Sequence, residues 1–106
     1  MSHELKNLQD AIAERKYIRN IEIYRSYDFT QNRYYTNLLL TLTDDDVFFE
    51  HKLRIRFTNI SDLKTDNLCS MVRPCFVIYD LTHRYKLIDE EHHTLSFFFE
   101  KAEITS

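Results

Sequence analysis

Apolar and polar residues along this chain keep first one period and then another. Leu5, Leu8 and Ile12 stand at i, i+3 and i+7 with Ala11 beside them, which predicts an amphipathic helix over 3–16. Ser2 suits the N-cap, and Arg15 and Lys16 suit the negative helix end. A helix this short is marginal alone, so its stripe must dock on something.

From Tyr17 the period becomes two. Ile21 and Ile23 alternate with Glu22 and Tyr24 in a strand expected over 18–29. A second strand is expected over 34–43, with Leu38, Leu40 and Leu42 on one face and Leu39 on the other. The clearest alternation covers 47–57: Val47, Phe49, Leu53, Ile55 and Phe57 face one way, and Glu50, Lys52, Arg54 and Arg56 the other. His51 interrupts the apolar row. Residues 58–74 read as irregular, anchored by Ile60 and Leu63 and closed by Pro74. Further strands are expected over 75–81, 84–89 and 94–104, the first of them central because it is continuously apolar. One helix followed by about six strands predicts a single α+β domain over 1–106, with the helix packed on an antiparallel sheet in two layers.

The composition narrows the chemistry. The chain has no glycine. Backbone that closely cradles a phosphate, or turns through positive φ without steric cost, needs that residue. The P-loop, the dinucleotide fingerprint and the nucleophile elbow are therefore excluded, and tight turns must rely on Asn and Asp. No apolar run reaches the ~20 residues that cross a bilayer. The start of the chain carries no signal-peptide core, and two cysteines are too few for a secreted disulfide framework, so a cytoplasmic protein is expected. A net charge of -3 argues against general polyanion binding.

The candidate reactive residues read mainly as structural. His92 and His93 are adjacent and could reach one ion only from a loop, with Asp89 or Glu90 completing the shell; a solvated turn is the expectation, with no metal and no cofactor. His51 has no nucleophile or carboxylate at a motif spacing. Cys69 and Cys75 read as buried thiols. Asp44, Asp45 and Asp46, like Asp89, Glu90 and Glu91, lack the spacing of a calcium loop and read as turns. Lys52, Arg54 and Arg56 form a basic strip on a wet strand face, the best nucleic-acid candidate, with Tyr24 or Tyr34 as possible stacking surfaces. Tyr24 and one of Tyr34 and Tyr35 fit no inward position, and exposed tyrosine is enriched at protein interfaces.

The stretch Leu53-Arg54-Ile55-Arg56-Phe57-Thr58-Asn59-Ile60-Ser61-Asp62-Leu63, with Phe76-Val77-Ile78-Tyr79-Asp80-Leu81 and Leu95-Ser96-Phe97-Phe98-Phe99-Glu100, resembles the immunity protein fifty family of bacterial toxin systems. The resemblance covers the C-terminal half and rests on sheet positions. It implies a small β-rich protein that neutralises a cognate toxin, and it supplies no active site. The leading expectation is a non-enzymatic inhibitor that occludes a protein partner, such as a basic toxin or nuclease, through Asp44–Asp46, Asp89–Glu91, Tyr24 and Tyr34. A small nucleic-acid-binding regulator acting through Lys52, Arg54 and Arg56, or an accessory subunit of a larger complex, are the alternatives.

Overall fold

The computed structural model describes residues 3–14, 17–43, 52–66 and 74–105. The N-terminal stripe forms α1 (His3–Glu14). Eight strands follow among the described residues: β1 (Tyr17–Asp28), β2 (Arg33–Thr43), β3 (Lys52–Thr58), β4 (Ser61–Thr65), β5 (Phe76–Asp80), β6 (Tyr85–Asp89), β7 (Leu95–Phe99) and β8 (Lys101–Ile104). They make two antiparallel sheets, ordered β1-β2-β3-β8 and β4-β7-β6-β5. The molecule is mostly β. This corrects the expected α+β arrangement of a helix on one sheet of about six strands.

The correction has a definite origin in two places. Residues 61–65, read as irregular, form β4, and the expected strand 94–104 breaks at Glu100 into β7 and β8, which belong to different sheets. Thr58 pairs with Lys101 in the first sheet, and three residues further on Ser61 pairs with Phe98 in the second. The two strand pairs therefore form one bent ladder shared by both sheets. Corners of this kind, made by strands that switch sheets, let two layers pack without a covering helix layer.

A parity slip keeps apolar side chains inside on both arms of the bend. The buried series Leu53, Ile55, Phe57 resumes at Ile60, and Leu95, Phe97, Phe99 resumes at half-buried Ala102. At the corner Asn59 takes φ 56°. Its side-chain amide donates to Glu100 Oε2 at 2.5 Å, its backbone N–H donates to Asn37 Oδ1 at 3.2 Å, and Glu100 N–H donates to Thr58 O at 3.0 Å. Asn37 is buried and donates in turn to Ser26 Oγ at 2.8 Å, so this buried polar side chain is satisfied on both sides.

The core lies between the sheets. Phe57 of the first sheet meets Phe97 and Phe99 of the second edge to face, with centroids 4.9 and 4.8 Å apart. Such pairs add about 0.5–1.5 kcal/mol each beyond the area they bury. Leu38, Leu40, Leu42 and Ile55 complete one wall, and Ile78, Leu87 and Leu95 the other.

Strand β5 was expected to be central and is an edge strand. Its apolar character reflects α1, whose Leu5, Leu8 and Ile12 are buried in the same core. Gln9 closes the edge: its amide nitrogen donates to Phe76 O at 3.0 Å, and its Oε1 accepts from Ile78 N–H at 2.7 Å. One side chain thus mimics the next strand, which protects an edge that could otherwise recruit another chain.

Turns form without glycine. Asn32, Asn59 and Asp62 adopt positive φ, as expected of Asn and Asp, but so do Thr82 at 77° and His93 at 54°. Thr82 centres a tight turn in which His83 N–H donates to Leu81 O at 2.9 Å. A β-branched residue at positive φ stores strain there.

Replacing Asn37 with Ala removes the acceptor for Asn59 N–H at the corner. An unsatisfied buried donor costs about 1–3 kcal/mol. Urea unfolding of Asn37→Ala is expected to show that loss, whereas Asn20→Ala on exposed β1 should stay within about 0.5 kcal/mol of the parent. Equal stability of the two variants would contradict the role given to the corner.

Candidate functional site

The longest strand pair among the described residues outruns its support. β1 and β2 pair from Tyr17↔Thr43 out to Asp28↔Arg33, while β3 pairs with β2 only over Leu38–Thr43. Ile60 N–H still reaches Thr36 O at 2.8 Å. Beyond that, residues 26–28 and 33–35 stand as a two-stranded ribbon, and the molecule is correspondingly elongated, 42 × 27 × 26 Å.

The hairpin tip is ordered by its own side chains. Asp28 Oδ1 accepts from Thr30 N–H at 2.9 Å and Gln31 N–H at 3.3 Å, an Asx-type closure of the turn. Tyr27 donates its hydroxyl to Asn32 Oδ1, and Tyr35 donates to Gln31 Oε1 at 2.9 Å. Tyr27 packs edge to face on Phe29 at 4.8 Å and on Tyr34 at 4.9 Å. Arg25 lies 5.9 Å from the Tyr34 ring centroid and Arg33 4.5 Å from that of Tyr35. Yet Phe29 is 88% exposed and Tyr34 67%. Tyr27, Phe29 and Tyr34 with Arg25 make a pre-ordered cluster that has the residue types of an interface hot spot, while Arg33 and Tyr35 lie on the opposite face of the ribbon.

The expected contact residues do not form one surface. Tyr24 opposes Asn37 on the outer face of the first sheet, whereas Tyr34 opposes Tyr27 on the other face, so the two tyrosines point apart. Asp44, Asp45 and Asp46 lie outside the described residues, as do His51 and Cys69. Sequence reasoning missed Phe29, Tyr27, Arg25 and Arg33. The available signal was a large aromatic inside a polar turn, Asp28-Phe29-Thr30-Gln31-Asn32.

Asp89 leaves the set of expected contact residues. It is fully buried at the end of β6 and organises the β6–β7 turn. Oδ1 accepts from the N–H groups of Cys75 at 2.9 Å, Glu91 at 3.2 Å and His92 at 3.3 Å. Oδ2 accepts from Thr94 N–H at 3.2 Å and Thr94 Oγ1 at 2.7 Å. Burial pushes this carboxyl up, but the bond from the Thr94 hydroxyl and those from the backbone of Cys75, His92 and Thr94 outweigh it, and its pKa falls below the ordinary value. Glu90 is exposed and accepts the Tyr79 hydroxyl, while Glu91 sits 3.7 Å from His92 Nε2.

The basic strip is real but diluted. Lys52, Arg54 and Arg56 alternate on the exposed face of β3, where Arg56 pairs with Glu103 at 3.0 Å. Glu22 shares that face, through the registers Glu22↔Leu39 and Leu39↔Arg56. Cys75 is exposed, which corrects the expectation of a buried thiol. Among the described residues no group of three His, Cys, Asp or Glu side chains could hold a metal ion. An open groove of about 710 Å³ runs between α1 and β8, floored by Leu5, Leu8, Tyr85, Phe99 and Ala102. No helix of the described chain is long and apolar enough to cross a membrane.

Comparison of the chain with protein-family models, with curated proteins and with solved structures gives no match.

The Asp89 carboxylate stabilises the fold only while ionised. Its depressed folded pKa means that this contribution is full above the unfolded value near ~3.9 and is lost as pH falls through the folded one. Asp89→Asn is expected to lose about 2 kcal/mol or more at pH 7, since hydrogen bonds to a charged group are worth about 1.5–3 kcal/mol each. The gap to the parent in urea unfolding should shrink on acidification. A gap that stays constant down to the acid limit would show that charge plays no part.

Proposed function

We propose that this protein is a non-catalytic binding module that blocks a partner protein, with the aromatic tip of the β1–β2 hairpin as its contact surface. The observation that carries the reading is the ordered tip, where Phe29 and Tyr34 are exposed although the surrounding turn is fixed by side-chain hydrogen bonds. Large rings held in place before binding lose little conformational freedom on docking, so more of their burial becomes affinity. Arg25, beside the Tyr34 ring, suits carboxylates or carbonyls around an apolar pocket on the partner, whereas Arg33 stacks on Tyr35 on the opposite face of the ribbon.

The resemblance of residues 53–63, 76–81 and 95–100 to immunity proteins makes a bacterial toxin one partner that suits this reading. The net charge of -3 favours encounter with a basic protein, because opposite net charge raises association rates. Exposed Glu91 remains available for such contact, whereas Asp89 does not. The basic strip supports nucleic-acid binding less well, since Arg56 is already paired.

The test is affinity isolation from the native host with the parent and with Phe29→Ser/Tyr34→Ser, both checked for folding by circular dichroism. The parent is expected to recover a protein in stoichiometric amount. The double variant is expected to bind it roughly 1,000-fold more weakly, two hot-spot residues at about 2 kcal/mol each. Absence of a stoichiometric partner, or equal capture by the double variant, would contradict the proposal.

A further inference from the structure

The outer face of the second sheet carries a different chemistry from the hairpin. The registers Tyr79↔Lys86, Lys86↔Phe98 and Phe98↔Ser61 place these residues in one row across all four strands. Directly opposed residues share a face, so the row alternates ring and cation. Arg84 stacks over Phe98 with its guanidinium carbon 3.9 Å from the ring centroid, and donates to Ser61 Oγ at 3.5 Å. Lys86 Nζ lies 5.3 Å from the same centroid. The neighbouring row, Val77↔Ile88 and Ile88↔Ser96↔Lys64, adds a third cation and half-buried apolar surface.

This face differs from the β3 strip in charge balance. Among the described residues Arg84, Lys86 and Lys64 make no ion pair, whereas Arg56 is bound to Glu103. Glu90 touches the rim, where it is occupied by the Tyr79 hydroxyl. A chain of net charge -3 therefore presents a sheet face with three cations that make no ion pair among the described residues and rings set between them, flanked by Asp62 in β4 and by Glu90. The charge calls for a polyanion, and the rings select among polyanions. Nucleobases stack on Tyr79 and on the Arg84 guanidinium that Phe98 supports from beneath, while the charges of Arg84, Lys86 and Lys64 attract the phosphates; a string of carboxylates makes no use of the rings.

We infer that the outer face of β4-β7-β6-β5 binds single-stranded nucleic acid without sequence preference, at a surface separate from the hairpin tip. The strands lie about 4.8 Å apart, so the row accommodates a short stretch of two to three nucleotides and binding is weak.

The test is fluorescence anisotropy of the full chain with a fluorescein-labelled twelve-residue oligothymidylate. Three phosphate contacts on a single strand give a slope of log K against log salt of about -2, or a roughly 20-fold loss of affinity between 50 and 200 mM salt. Arg84→Ser/Lys86→Ser/Lys64→Ser is expected to weaken binding at least ten-fold. Lys52→Ser/Arg54→Ser, on the other sheet, should leave it unchanged within two-fold. Phe98→Leu is expected to weaken it several-fold, and Tyr79→Ser provides the same test if Phe98→Leu fails to fold. No binding at 50 mM salt, binding that survives the triple substitution, or equal displacement by polyglutamate would each overturn the inference. The last result would assign the face to acidic polypeptides instead.

Discussion

The pairing of Thr58 with Lys101 and that of Ser61 with Phe98 belong to one ladder, and the bend between them decides where the other strands go. On one side of the bend the ladder is continued by β2 and β1, and on the other by β6 and β5. Folding the ladder brings Phe57 against Phe97 and Phe99, so the sheets acquire a common core instead of requiring a helix layer on each. Bent strands of this kind leave backbone groups to be satisfied at the corner. Asn37 accepts from Asn59 N–H and Thr58 O accepts from Glu100 N–H, while the Asn59 and Glu100 side chains bond to each other across the corner; the burial of Asn37 follows from that duty.

Both candidate surfaces follow from this arrangement. The chain leaves the first sheet after β3, so among the described residues no third strand lies beside the distal ends of β1 and β2. The hairpin tip is exposed for that reason, and its rings and turn hydrogen bonds keep it ordered. The second sheet has its inner face filled by Phe97, Phe99 and Leu87, and its outer face is left to Tyr79, Lys86, Arg84 and Phe98. A molecule with two sheets thus offers one projecting surface and one flat surface, with different chemistry on each. Gln9 at the β5 edge limits a third mode of association, strand addition, on that side.

Much of the local structure was legible in the residues themselves. The helix stripe Leu5, Leu8, Ile12 and the alternation through Leu53, Ile55 and Phe57 follow from periodicity, and Ile60 and Leu63 anchor to the core from a segment with no clear period. The lack of glycine points to Asn and Asp at tight turns, and Asn32, Asn59 and Asp62 do take positive φ, although Thr82 and His93 take it as well. The division into two sheets was less visible because strand formation looks the same on both sides of a bend. Its trace is the three-residue step from Phe57 to Ile60 and from Phe99 to Ala102, where alternation by two would have continued unbroken. The edge position of β5 was hidden because a strand covered by a helix is as apolar as a central one. The role of Asp89 was hidden too: an acidic run reads as solvent-exposed, and only the turn's backbone N–H groups, brought together by folding, reveal a buried acceptor. The hairpin tip was underread for a similar reason, since Tyr24 and Tyr34 are close in sequence yet lie on opposite faces.

A shared ladder implies that the two sheets cannot open separately. Native-state hydrogen exchange tests this directly, by comparing the amides of Leu40 and Ile55 in the first sheet with those of Leu87 and Phe97 in the second. One common opening free energy, equal to that of global unfolding, is the expected result. Exchange of the second sheet through a distinct opening of lower energy, with the first sheet still protected, would contradict the account.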